Sequence, residues 1–125
     1  MKIVPEFIVK DIVKSVKLFT EVLNMYIDFT DSEDENYKWA QLSKDGECVM
    51  LQEREAVLSE IPDIPKELGS SMLIVFKYSK DDALTIYNKI KGVYKLFVEF
   101  HQTEYGSVEF GFYDGDNYRI LISGE

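Results

Sequence analysis

Apolar and polar residues alternate along this chain in two rhythms, and the same succession of rhythms comes twice. An apolar stretch from Ile3 to Lys10 predicts a buried strand. Behind Asp11, a residue suited to capping, Ile12, Val16, Phe19 and Leu23 then recur at helical spacing until Asn24. Period-two patterns follow at Met25 to Thr30, Tyr37 to Leu42 and Glu47 to Gln52, with DSEDEN as a solvated acidic loop and Lys44-Asp45-Gly46 as a hairpin turn. The second succession opens with a strand at Ser71 to Tyr78. Ser79 and Asp82 form a capping box for a helix through Lys91, which Gly92 ends. Strands at Leu96 to His101, Ser107 to Tyr113 and Tyr118 to Ser123 complete it, with Asp114 to Asn117 as the last turn.

The pattern predicts an α+β fold of two βαβββ repeat units, residues 1–53 and 70–125, forming a cupped mixed sheet. Between them, 54–69 breaks the rhythm with Pro62 and Pro65 and reads as a linker with one helical turn near Ala56 to Ser59. At 125 residues the chain fits a single domain with its own core.

Successive strand side chains point to opposite faces. The alternation places Phe7, Val9, Val49, Leu51, Leu73, Val75, Ile120 and Ile122 beneath the helices. The other face carries Val4, Glu6, Ile8, Cys48, Met50, Gln52, Met72, Ile74, Phe76, Arg119, Leu121 and Ser123, a mixture that suits the wall of a ligand cavity.

Charge narrows the partners. With 14 Lys and Arg against 23 Asp and Glu, the formal net charge is −9. A field of that sign repels nucleic-acid phosphates and anionic lipid headgroups and draws in cations. Cys48 is the only cysteine, which excludes an intrachain disulfide and points to a cytoplasmic protein. Charges in the first twenty residues interrupt any signal-peptide core, and no apolar run is long enough to span a bilayer, so no membrane partner is expected.

Two phrases carry a family resemblance. PEFIVKDIVKSVKLFTEVLNM at the start and YGSVEFGFYDGDNYRILIS at the end, set in βαβββ twice over, resemble the vicinal oxygen chelate superfamily of glyoxalases, bleomycin-resistance proteins and extradiol dioxygenases. The resemblance implies a homodimer. It also implies metal-ligand positions on the first and last strands of each half, which fall on Val4, Met50, Met72 and Leu121. Hydrocarbon side chains donate nothing and a thioether is a poor partner for a hard divalent ion, so no metal, no cofactor and no catalytic residue is expected.

The remaining candidates are binding residues. Glu6 and Arg119 can anchor polar ends of a ligand, Trp39 offers a flat ring to a planar or cationic guest, and Met50, Gln52, Met72, Ile74, Phe76 and Leu121 line the apolar wall. His101, the only histidine, would need an acidic partner such as Glu104 to act as a base. The expected function is metal-independent binding or sequestration of a small amphipathic or cationic molecule, as the bleomycin-resistance branch of the resemblance implies. The alternative is a glyoxalase-like lyase or dioxygenase that uses a divalent metal.

Overall fold

In a computed structural model, β1 (Glu6–Val9) leads into α1 (Ile12–Lys17). The Asp11 carboxylate accepts from Lys14 N at 3.2 Å, and Glu53 reaches across to accept from Ile12 N at 3.3 Å. Two of the helix's unpaired amides are thereby satisfied by side chains. The helix then widens into a π turn over Leu18–Val22, where Leu23 N bonds the Leu18 carbonyl and the Thr20 hydroxyl donates back to Val16 O. Asn24 ends it in a left-handed conformation, at φ 61°.

Three strands follow: β2 (Tyr26–Thr30), β3 (Trp39–Lys44) and β4 (Glu47–Glu53). Asp45 and Gly46 make the β3–β4 turn with positive φ at both positions, the geometry a two-residue hairpin favours. The sheet order is β1-β4-β3-β2, with β1 parallel to β4 and the other pairs antiparallel. The short α2 (Arg54–Val57) packs on β4 and β1 and buries Val57, so the segment expected as a linker is in part core.

The second succession is β5 (Leu73–Tyr78), α3 (Lys80–Ile90), β6 (Leu96–Gln102), β7 (Val108–Tyr113) and β8 (Arg119–Gly124). Ser79 Oγ accepts from Asp82 N, and Gly92 follows the helix at positive φ. The order β5-β8-β7-β6 repeats that of the first sheet, again with the outer first strand parallel to the last. The chain therefore forms two four-stranded mixed sheets. The described residues are 1–69 and 71–125; Ser70, where the second half is expected to begin, lies outside them. They divide into compact units at Met1–Glu67 and Leu68–Glu125. None of their helices is long and apolar enough to cross a membrane.

Register decides the faces. In the first unit Phe7 pairs with Leu51 and both are buried under α1, as the alternation predicts, leaving Glu6, Ile8, Met50 and Gln52 on the open side. In the second unit the assignment of β5 is corrected. Ile74 pairs with Ile120 and Phe76 with Ile122, so Ile74 and Phe76 lie on the helix side, whereas Leu73 and Val75 lie with Arg119 and Leu121 and are about half exposed. Met72 precedes the strand and is exposed. The cause is one residue of spacing: Lys10 separates Val9 from the Asp11 cap, but Tyr78 adjoins the Ser79 cap directly. A one-residue offset moves every side chain of a strand to the other face.

The corrected register predicts unequal costs. Phe76→Ala should lower stability by about 2–4 kcal/mol, while Val75→Lys should change it by no more than about 0.5 kcal/mol. Urea unfolding midpoints measure both, and the opposite ranking would restore the original face assignment.

Candidate functional site

The open side of the first sheet gathers four of the expected binding residues. Glu6 pairs with Met50 across β1 and β4, Gln52 lies two residues further along, and Trp39 pairs with Gln52 from β3. The Trp39 indole stands close enough to Glu6 to favour its charged form. An indole nitrogen only donates, so its N–H favours an ionised carboxylate beside it. Partial burial raises the Glu6 pKa above its ordinary value; the Trp39 indole opposes that rise, and the nearby Glu60 charge adds to it. Trp39 also stacks on Phe29 of β2, with centroids 6.1 Å apart and planes 13° from parallel. A carboxylate thus stands beside a paired aromatic surface.

The acidic loop before β3 helps to hold this arrangement. Asp31 Oδ1 accepts from Lys38 N at 2.8 Å and Trp39 N at 3.2 Å, fixing the backbone at the start of the strand. Asp34 accepts from Asn36 N and the Ser32 hydroxyl, which hold its carboxyl below the usual range. The run expected as merely solvated is a set of turn-forming acceptors. Alongside it on the sheet, Asp28 accepts from Gln41 and Ser43, so the polar groups beside Met50 are also paired.

In the second unit Arg119 and Leu121 occupy the open side of β8. The Phe97 ring covers Gly111, where a Cβ would come within 2.6 Å of it, and packs against Tyr113 at 5.3 Å. Arg119 lies over the same Tyr113 ring of β7, its guanidinium 5.2 Å from the centroid. Phe110 and Phe112 are fully buried on the helix side, Phe110 against Tyr87 and Phe112 against Tyr94, so they belong to the core. Ile74 and Phe76 do not join Leu121, for the reason of register given above.

Two features were not legible from the chain alone. His101 meets Glu109 at 3.6 Å across the β6–β7 pairing, rather than Glu104. Asp114 is buried beside the last turn and one oxygen, Oδ1, accepts from Asp116 N at 2.8 Å and Tyr118 N at 2.9 Å. Burial pushes its carboxyl up to about 6 despite those two amides. The DGDN phrase marks the turn, but nothing in it shows that Asp114 faces inward.

No family model matches the sequence, and no curated protein matches it. Solved structures do share its fold. A protein of unknown function from Agrobacterium tumefaciens str. C58 aligns over 100% of this chain and 94% of its own, with a TM-score of 0.77 and 19% identity. A glyoxalase-related enzyme from Fulvimarina pelagi aligns over 100% and 88%, with a TM-score of 0.78 and 12% identity. The fosfomycin resistance protein FosX from Listeria monocytogenes aligns over 100% and 90%, with a TM-score of 0.72 and 17% identity. The fold is that of the vicinal oxygen chelate proteins.

One FosX structure is a complex with Mn(II) and sulfate. The open-side pairs here do not fit such an ion. Val4 precedes β1, and the residue facing Met50 is Glu6; in the second unit Val75, not Met72, faces Leu121. The pair in the first unit supplies one carboxylate and one thioether, and the pair in the second supplies two hydrocarbons, so neither offers a hard ion more than a single oxygen donor group. Among the described residues no group of three or more His, Cys, Asp or Glu is placed to hold a metal.

Two titrations check these environments. Trp39 is the only tryptophan, so its single indole N–H resonance should shift with pH around a midpoint above the ordinary glutamate value of about 4.3. Glu6→Gln should abolish that shift. For Asp114 the folded chain holds the proton more tightly than the unfolded chain does, so this residue costs stability as pH rises from about 4 to about 6. Asp114→Asn keeps an acceptor oxygen for both amides. Its stability should exceed wild type at pH 7 by up to about 3 kcal/mol and converge with it near pH 4, as read by denaturant unfolding at each pH.

Proposed function

We propose that this protein binds and sequesters a small amphipathic cation on the open side of its first sheet, without a metal and without covalent chemistry. The observation that carries this reading is the Glu6 carboxylate on the same side of the sheet as Trp39, with Phe29 stacked on that indole. A planar cation laid on Trp39 would gain about 0.5–2 kcal/mol from the ring face. Its charge would meet Glu6, and its apolar body would cover Met50 at about 25 cal/mol per Å² before entropic costs.

The long-range field acts in the same direction. At −9 the chain attracts cations before any contact is made, which favours capture at low ligand concentration. Met50 adds an adaptable surface, since an unbranched thioether repacks around guests of different outline. The poor fit of Glu6, Met50, Val75 and Leu121 to a hard ion disfavours the rival reading as a metal-dependent lyase or dioxygenase.

We further take the protein to be cytoplasmic, in keeping with a buried free Cys48, and to act as a homodimer. Edge strand β2 supports pairing, because it exposes Tyr26 and Ile27 as well as unpaired backbone groups.

Trp39 fluorescence provides the test. With chelator present, 1-methylquinolinium should quench it saturably, neutral quinoline should bind at least about tenfold more weakly, and Glu6→Gln should remove most of that preference. Linear collisional quenching, or saturable binding only after Mn(II) or Zn(II) is added, would contradict the proposal.

A further inference from the structure

The second unit holds a cleft of its own, about 690 Å³, at the end of its sheet where β6 begins, β7 ends and β8 begins. That volume lies in the range of small-molecule sites. Val93, Tyr94 and Lys95 form one side, and Tyr113, Asp114 and Arg119 form another. Leu68 and Gly69 close the edge, held there by a close approach: Gly69 has φ +85°, and a Cβ on it would strike the Asn117 carbonyl.

Two cations converge on a single ring in this cleft. Lys95 Nζ lies 5.7 Å from the Tyr113 centroid, and the Arg119 guanidinium lies 5.2 Å from it. Tyr113 is itself fixed by Phe97, at 5.3 Å. Bringing two like charges onto one ring raises the local positive potential, and it does so in a chain whose formal charge is −9. Glutamates and aspartates are plentiful, yet no ion pair to Lys95 is present among the described residues.

We infer that this cleft is a binding site for a small organic carboxylate with a flat apolar body, its carboxylate held between Lys95 and Arg119 and its body against Val93, Tyr94 and Tyr113. The guanidinium fork matches a carboxylate in two hydrogen bonds, and the lysine supplies a mobile second charge. The apolar walls and rings account for the flat body. Asp114 also lines the cleft, but its carboxyl is turned to the turn amides of Asp116 and Tyr118. Inorganic phosphate has no flat apolar body to lay against those walls.

This site is independent of Glu6 and Trp39, takes a ligand of opposite charge, and stands or falls separately from the cation reading. Benzoate is the probe, followed by amide shifts in ¹⁵N spectra of the full chain, with benzylammonium and inorganic phosphate as comparisons. Benzoate should shift the Lys95 and Tyr113 to Arg119 amides saturably, and the two comparison probes should not. Lys95→Gln, an exposed substitution that leaves the fold intact, should weaken benzoate by about tenfold, and Arg119→Gln by more. Should Arg119→Gln disturb the spectrum as a whole, Arg119→Lys provides the measure, with weakened but detectable binding expected. Unsaturable shifts, equal response to phosphate, or benzoate affinity unchanged in Lys95→Gln would overturn the assignment.

Discussion

Parallel pairing of the first and last strand of each unit is the constraint on which the rest of this molecule depends. Once Phe7 is set beside Leu51 and Ile74 beside Ile120, the two-residue period leaves no further freedom in which side chains go under the helix and which remain open. The helix caps anchor those registers. Asp11 caps α1 and Glu53 fixes it to the end of β4, and Lys80 N bonds the Glu125 carbonyl just past β8, so in both units the helix start is tied to the last strand. Placement of Glu6, Met50, Val75 and Leu121 on the open sides follows from that geometry rather than from any local preference of theirs.

The duplicated topology carries two different chemistries. On the first sheet a carboxylate, an indole and a phenyl ring meet beside a thioether, an arrangement for positive charge and apolar surface. On the second, Phe97 lies over Gly111 and fills the sheet with the chain's own aromatic surface, while the cationic groups withdraw to the strand ends around Tyr113. Equivalent backbones with divergent side chains are what a fold used as a scaffold allows, because the pairing geometry constrains the covered face far more than the open one.

Much of this was legible in the chain because it is local. Asp11, Ser79 with Asp82, Asn24, Gly92 and Asp45-Gly46 each act within a few residues, and each does so as its chemistry predicts. The first sheet's open side was also legible, since Glu6 and Gln52 alternate with apolar Phe7 and Leu51. Strand β5 was not. Leu73, Ile74, Val75 and Phe76 are all apolar, so alternation offers no phase there, and the missing residue before the Ser79 cap shifts the strand against its counterpart. The His101–Glu109 contact, the inward turn of Asp114 and the convergence of Lys95 and Arg119 on Tyr113 are products of strand pairing between distant segments, which no local pattern encodes.

The central claim is that the open side of the first sheet solvates an apolar cation and does not grip a metal. A crystal structure of the chain soaked with both Mn(II) and a planar aromatic cation tests it most directly. The account predicts organic density against Trp39 and Met50, with its charge toward Glu6 and no metal bound by protein atoms there. Anomalous density for manganese ligated by Glu6 or its neighbours would contradict it.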